Sequence, residues 1–339
     1  MDIEKIWNTL EKEAGESAME GTGKWLLMPE LNQKIFLGYR SPGNIRMLLL
    51  IVKKKNLPSL PEFPDLKGLR ISFESFPEEG ESYASISLML TNSTFKDIFT
   101  VLVQDLINRI IIEQNQNQMI KSFFTRLHQW RTFLEKYGVT GLNTEEQRGL
   151  FGELWIIREY LFSRIGKKAA IYAWKGPFRA PQDFIYHNTG LEVKTTISRQ
   201  PRKIKITSEL QLDNSAFENL FLIHVLLGED TRTIETLPDL INKIKKLLYE
   251  ECSASEMFEK ALFESGYLAV HEHEYQKTSY SVRGINIYHV KDKFPRITRN
   301  EIPDGIEDIH YSVNLSECRD YRIGEDEFFN VLESVNEYR

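Results

Sequence analysis

The sequence has few cysteines, no long apolar run and no excess of basic residues. Cys252 and Cys318 are its two cysteines. They lie far apart and form no CxxC pair, so neither a zinc site nor a disulfide framework is predicted. The most apolar run, from Met47 to Val52, is too short to cross a bilayer. The acidic, amphipathic N-terminus is unlike a signal peptide, and we therefore expect a cytoplasmic protein with no membrane partner.

The formal net charge is -6, which argues against a protein that coats nucleic acid non-specifically, because such proteins are usually basic overall. The charge does not exclude a nuclease, since a catalytic cluster of carboxylates is itself acidic. The sequence contains no GxSxG, no glycine-rich P-loop and no HExxH. ATP hydrolysis by this chain is therefore not predicted, and any ATP-driven step would need another subunit.

The order of apolar patterns predicts an α/β protein, α+β overall, with two or three domains. Residues 1–135 are predicted to form strands followed by helices, which makes an N-terminal α+β domain. Binding of DNA or of a partner is the role expected for this domain. Residues 136–230 hold the informative motifs, and residues 231–339 form a C-terminal α/β region that completes or extends them. We expect a helix from a capping box at Thr144 and Gln147 to about Arg164, then a strand near Ala170–Trp174.

The strongest local signal is a predicted hairpin that brings three charged residues together. Turn-forming residues, His187 to Gly190, separate two short β-prone runs. Asp183 then lies opposite or diagonal to Glu192. Glu192 and Lys194 are two residues apart, so they share one face of their strand.

Two carboxylates at such a distance repel each other strongly unless a cation lies between them. Oxygen ligands favour Mg²⁺ or Mn²⁺ over zinc. A metal would polarise a phosphoryl oxygen and activate water, and Lys194 would position that water or stabilise developing charge. An ExK sequence is common on strands and is seldom catalytic alone, so the prediction depends on the combination.

A further carboxylate, Glu153, lies at the edge of the apolar stripe of the preceding helix. A carboxylate there is costly unless it has a partner. A metal, a metal-bound water or Lys194 would supply one, although an ion pair with Arg148 or Arg158 is an alternative. Gly149 and Gly152 lower helix propensity and indicate close approach by another group.

The order helix-Glu, Asp, turn, Glu-x-Lys resembles the PD-(D/E)XK nuclease superfamily. The segments GLFGELWIIREYL, WKGP, PQDFIY, GLEVKTT and ITSELQL resemble a bacterial family of PD-(D/E)XK proteins, most specifically over residues 142–212. One residue, Gln182, is inserted in the usual Pro-Asp motif. The resemblance implies a restriction-endonuclease-like core with a mixed central β-sheet flanked by helices, Mg²⁺ dependence with Mn²⁺ as a substitute, and DNA cleavage. It also suggests restriction-modification or anti-phage gene clusters, with a methyltransferase and an ATPase or helicase as partners.

The resemblance also implies roles for individual residues. Asp183 and Glu192 would be metal ligands, with the Val193 carbonyl as a further ligand. Lys194 would be the catalytic lysine and Glu153 the accessory carboxylate. A glutamine often found near such sites matches Gln211.

The cations Arg199, Arg202, Lys203 and Lys205 follow the hairpin and form a candidate phosphate-binding stripe. An exposed basic strand explains them about as well. His271–Glu274 alternates histidine and glutamate, but no third metal ligand has a recognisable spacing. We therefore expect an exposed strand end or loop there.

The prediction is an Mg²⁺-dependent DNA endonuclease, for which double-strand cleavage would need a homodimer or two encounters. A catalytically silent or partner-activated DNA-binding or scaffold subunit is the alternative, and RNA remains open as a substrate.

Overall fold

The structure is a computed structural model. It describes residues 2–16, 21–27, 34–57, 68–78, 80–138, 140–197, 203–230 and 235–334. The chain divides into two compact units, residues 1–139 and residues 140–339. A search of the described ranges for a helix both long and apolar enough to span a membrane finds none.

The first unit combines an antiparallel sheet with helices. Its elements are α1 (Ile3–Glu16), β1 (Gly21–Leu27), β2 (Lys34–Ser41), β3 (Ile45–Lys53), β4 (Leu69–Glu78), β5 (Glu81–Leu90), α2 (Lys96–Ile110) and α3 (Gln116–Tyr137). The strand order is β1-β2-β3-β5-β4. Residues 111–115 separate α2 from α3. β1 was not predicted, because its two glycines weaken the strand pattern.

The second unit contains all the predicted site residues. Its elements are α4 (Thr144–Ile156), α5 (Phe162–Ile165), α6 (Lys167–Ala173), β6 (Phe184–Tyr186), β7 (Thr189–Thr196), β8 (Lys203–Ile206), β9 (Asn219–Asp230), β10 (Glu235–Thr236), α7 (Leu237–Leu247), α8 (Cys252–Glu264), α9 (Glu272–Tyr275), β11 (Ser279–His289), β12 (Tyr311–Asn314), β13 (Arg322–Ile323) and α10 (Glu325–Ser334).

The sheet of this unit is mixed. Its strand order is β10-β11-β9-β7-β6, with β13 paired to β11, and a separate ladder joins β8 to β12. β7 runs parallel to β9, whereas β6 and β11 run antiparallel to their neighbours. Strand β9 is almost wholly apolar and buried between Leu220 and Leu227, as expected for a central strand covered on both faces. The predicted mixed α+β architecture is confirmed and is consistent with a PD-(D/E)XK-like fold.

The hairpin of β6 and β7 has the predicted form. Phe184 pairs with Leu191 and Tyr186 with Thr189, so His187 and Asn188 make the turn. His187 has a φ of 49°, the left-handed conformation that tight hairpin turns require. Because β6 begins only at Phe184, no strand within the described ranges lies beside the edge of β7 beyond Leu191 on this side.

Helix α4 begins one residue earlier than the sequence predicted. Its N-cap is Asn143, which forms a capping box with Glu146 instead of the predicted Thr144 and Gln147. A π-helical turn over residues 157–161 joins α4 to α5. The helix comes very close to β7 at Gly152, where an added Cβ would lie 2.2 Å from Thr195 Cγ2. This confirms the close approach predicted for Gly152.

The predicted strand at Ala170–Trp174 is wrong, because this segment belongs mainly to helix α6. The apolar run looked strand-like, but alanine has the highest helix propensity, and Gly166, with a φ of 82°, ends the preceding helix. The prediction for Gly149 was wrong, since an added Cβ there would meet no described atom within 4 Å apart from the backbone of its own helix. The glycine at position 149 therefore has no packing explanation.

The two glycines of α4 give a matched test of this packing. We expect Gly152→Ala to lower the free energy of unfolding by about 1–3 kcal/mol, because the new methyl group overlaps Thr195. Gly149→Ala should leave stability unchanged or raise it by up to about 1 kcal/mol, since alanine favours the helix and the space is open. Urea denaturation measures both, and equal effects of the two substitutions would contradict the packing.

Candidate active site at the open edge of β7

The three charged residues of the hairpin lie at the end of β7 where the ladder with β6 stops. Continuing the register from the Phe184–Leu191 pair places Asp183 opposite Glu192. Glu192 and Lys194 point to the same face of β7, as predicted from their spacing. The structure therefore brings Asp183, Glu192 and Lys194 together.

Glu192 is the most enclosed member of this group, with no exposed surface. Its Oε1 atom forms an ion pair with Lys194 Nζ at 2.7 Å. Its Oε2 atom has no hydrogen-bond partner among the described residues. A buried carboxylate oxygen without a partner is costly, which makes this atom the clearest sign of a missing ligand.

Asp183 directly precedes β6, and its side chain binds the edge of β7 where a longer β6 would have continued the ladder. Its Oδ2 atom accepts a hydrogen bond from the backbone N–H of Val193 at 2.7 Å. The side chain thus satisfies a strand-edge donor. Because the N–H and C=O of one residue use the same edge of a strand, the Val193 carbonyl also points to the edge where Asp183 lies. The position suits the predicted role of this carbonyl.

Glu153 approaches from the other side of the sheet. Helix α4 packs on the face that carries Val193 and Thr195, opposite Glu192 and Lys194. Glu153 Oε2 accepts a hydrogen bond of 2.7 Å from the indole N–H of Trp174. Trp174 was not among the partners that the sequence suggested for this carboxylate.

Burial and mutual repulsion disturb the pKa values of the carboxylates. Burial, followed by the charge of Asp183, raises the pKa of Glu192 to about 8, against the opposing effect of Lys194. Burial and then Asp183 likewise raise the pKa of Glu153 well above its usual range. Burial lowers the pKa of Lys194, but Glu192 and Asp183 outweigh it and the pKa is raised. The group therefore carries more negative charge than its surroundings stabilise, which favours a bound cation.

The donor set fits a hard divalent cation. The carboxylates of Glu153, Asp183 and Glu192 and the carbonyl of Val193 are oxygen donors, the ligand type that Mg²⁺ and Mn²⁺ prefer. As they stand, no three His, Cys, Asp or Glu side chains within the described ranges are grouped closely enough to hold a metal. N–H donors instead bind Asp183 Oδ2 and Glu153 Oε2. Glu192 Oε2 accepts no hydrogen bond from the described residues.

The basic stripe is only partly described. Lys203 and Lys205 project into solvent from β8, while the alternating Ile204 and Ile206 are buried. Arg199 and Arg202 lie outside the described residues. The Gln211 side chain accepts a hydrogen bond of 2.8 Å from the Thr207 N–H, so it closes the turn after β8.

Sequence reasoning missed the residues that support the carboxylates. Trp174 holds Glu153, and Gly176 lies against both Glu153 and Asp183. Gln182, buried beside Asp183, donates through Nε2 to the carbonyl of Leu210 at 2.6 Å. The WKGP and PQD segments were visible as family-like motifs, but only the folded chain shows what these residues contact.

The His271–Glu274 segment is helical, and the prediction of a strand end or loop is wrong. His271 ends a short 3₁₀ turn and Glu272–Tyr275 forms α9. The side chain of His271 is buried, whereas His273 is exposed. The two histidines thus do not share a face in the way that a strand would require.

Asp183 and the Glu192-x-Lys194 pair at the hairpin, with Glu153 on the helix beside a mixed sheet, have the arrangement that the PD-(D/E)XK resemblance predicts. Residues 3–316 match the family described as "Putative PD-(D/E)XK family member", DUF4420. The chain belongs to this family. Proteins of the PD-(D/E)XK superfamily are usually nucleases and typically use divalent metals. No curated protein matches the chain, and no solved structure matches it either.

The raised pKa of Glu192 predicts how stability changes with pH when divalent metals are removed. The folded state keeps this proton up to a pH of about 8, whereas the unfolded chain releases it near the ordinary glutamate pKa of 4.5. The free energy of unfolding should therefore fall as pH rises through this window. Glu192→Gln should flatten that fall.

Urea denaturation in EDTA at several pH values tests this expectation. The exposed Glu250→Gln serves as the control and should follow the wild type. Parallel curves for the wild type and Glu192→Gln would show that Glu192 is not the group responsible.

Proposed function

We propose that the chain is an Mg²⁺-dependent endonuclease that hydrolyses DNA phosphodiester bonds. The observation that carries the proposal is the buried Glu192 carboxylate, which shares the open edge of β7 with Asp183 and with the ion-paired Lys194. A structural ion pair would need one carboxylate for one lysine. Here the charges of Asp183 and Glu153 act on Lys194 as well. Function would explain the energetic cost of placing three carboxylates around one lysine.

Four residues of the site would bind the metal ion. Asp183, Glu192 and the Val193 carbonyl would hold the cation, with Glu153 as a further carboxylate. When bound, the divalent ion polarises the phosphoryl oxygen and increases the acidity of water. Asp183 is held by the Val193 N–H and Glu153 by Trp174, so both carboxylates are oriented before substrate arrives.

Lys194 is the catalytic side chain of this scheme. Its Nζ atom is held by Glu192, and a fifth of its side-chain surface (19%) remains exposed. It can therefore donate hydrogen bonds to a water that attacks phosphorus in line with the leaving oxygen. It also stabilises the negative charge that develops on the phosphoryl group.

The substrate would follow the basic strand beside the site. Lys203 and Lys205 lie about 6–7 Å apart along β8, which is two residues of a strand, and both are exposed. With Arg199 and Arg202 they would contact the phosphate backbone, whereas Gln211 would act by shaping the adjoining turn. Such contacts position a nucleic acid without reading its sequence.

The biological setting that we propose is a bacterial restriction-modification or anti-phage system. A methyltransferase and an ATPase or helicase would be its partners, since this chain has no ATP-binding motif of its own. One such site cuts one strand, so a double-strand break would require a homodimer or two successive encounters.

Cleavage of supercoiled plasmid in Mg²⁺ tests the proposed function. We expect Asp183→Asn and Lys194→Ala each to lower the nicking rate by about 10²–10³-fold, the usual effect of removing one group that stabilises the transition state. The exposed Lys246→Ala is the control and should nick like the wild type. A parallel RNA substrate decides between DNA and RNA.

Two outcomes would contradict the proposal. Equal nicking by the wild type and both site variants would place the activity elsewhere. An absence of cleavage with DNA and RNA, even in the presence of the partner ATPase, would instead favour the DNA-binding or scaffold subunit.

The basic strand has its own test in the salt dependence of DNA binding. Replacing Lys203 and Lys205 by alanine should reduce the slope of log K against log salt by about 0.9 for each phosphate that the protein no longer neutralises. Replacing Lys54 and Lys55, two exposed neighbouring lysines of the first unit, is the matched control. An unchanged slope for the first pair would remove β8 from the DNA-binding surface.

A further inference from the structure

The segment from Trp174 to Gly176 forms a wall beside the carboxylates and is fixed to Asp183. The backbone N–H groups of Lys175 and Gly176 both donate to the Asp183 carbonyl, at 2.7 and 2.9 Å. Trp174 forms a β-bridge with Phe184, the first residue of β6. Three consecutive residues are thus held against Asp183 and Phe184, where the hairpin begins.

Gly176 is the point of closest approach. An added Cβ would lie 2.9 Å from Asp183 Oδ1 and 3.5 Å from Glu153 Oε2. The backbone of Gly176 is not in the left-handed region, so its conformation does not require glycine. The missing side chain therefore provides space, and that space lies between two carboxylates.

Neither carboxylate can easily turn away from this space. Asp183 Oδ2 is held by the Val193 N–H, which directs Oδ1 toward Gly176. Glu153 Oε2 is held by the indole of Trp174, a side chain with no exposed surface. Packing and hydrogen bonds of this kind fix a metal-binding carboxylate and strengthen its affinity for the ion.

The charge of the space decides what it can hold. A phosphate oxygen there would face two carboxylates and be repelled, whereas a cation would be attracted by both. We propose that Gly176 keeps open a divalent-cation position between Asp183 and Glu153, with Trp174 as the positioning residue that directs Glu153 toward it. The proposal rests on the proposed metal-dependent function and deepens it.

Calorimetric titration of the full chain with Mn²⁺, without DNA, measures this directly. Gly176→Ala should weaken Mn²⁺ binding by about tenfold or more, the range seen when the support of a metal ligand is removed. Gly149→Ala makes the same change in open space on α4 and should bind Mn²⁺ like the wild type.

A double-mutant cycle separates a local effect from a general disturbance of the fold. If Gly176 acts through the Asp183–Glu153 position, Gly176→Ala should have little further effect once Glu153→Gln has removed that position. Trp174→Phe keeps an aromatic ring but removes the N–H. It should weaken Mn²⁺ binding in the wild-type background and not in the Glu153→Gln background, which gives a second test if Gly176→Ala does not fold.

The possible results are distinct. Mn²⁺ binding by Gly176→Ala equal to that of the wild type, or additive losses in the cycle, would overturn the role of Gly176 while leaving the nuclease proposal standing. A wild-type protein that binds no Mn²⁺ would overturn both. Weaker binding in Gly176→Ala with no further weakening in the double variant is the result that we expect.

Discussion

The placement of one buried and two partly buried carboxylates around one lysine is the constraint on which the functional half of the molecule depends. Glu192 has no exposed surface, and Lys194 is the cation paired with it. Desolvation and like-charge repulsion both oppose this arrangement, as the raised pKa values of Glu153 and Glu192 indicate. Such a group requires a surrounding fold that holds it firmly, and the proposed cation would offset part of its cost.

The surrounding elements hold the carboxylate cluster by fixing one oxygen of Asp183 and one oxygen of Glu153. The ladder of β6 and β7 stops one pair before Glu192, which leaves the Val193 N–H to Asp183. Gly152 lets α4 come close to β7, so Glu153 can reach the same edge from the opposite face of the sheet. Trp174 then fixes Glu153. A short strand, a close helix and one buried indole therefore produce a site that no single element contains.

The sequence predicted the parts of this site that follow from local rules. Alternation along a strand placed Glu192 and Lys194 on one face, and the turn residues placed Asp183 opposite them. The inward position of Glu153 followed from its apolar helical neighbours. These features depend on spacings within one strand, one short hairpin or one helical turn, which the local chain fixes before it packs.

The remaining features depend on tertiary contacts that no local pattern reveals. Helix α6 was mistaken for a strand because a short apolar run fits either structure. Only the folded chain shows that Trp174 binds Glu153 and that Gly176 lies against Asp183 and Glu153. The same is true of the hydrogen bond from Gln182 to the turn after β8.

The most direct test of the account is a crystal grown or soaked with Mn²⁺ and measured at the manganese absorption edge. The account predicts an anomalous peak at oxygen-coordination distance from both Asp183 and Glu192, with Glu192 Oε2 turned toward it. A peak elsewhere, or no peak while Glu192 keeps only Lys194 as its partner, would contradict the claim that the buried carboxylates form a metal site.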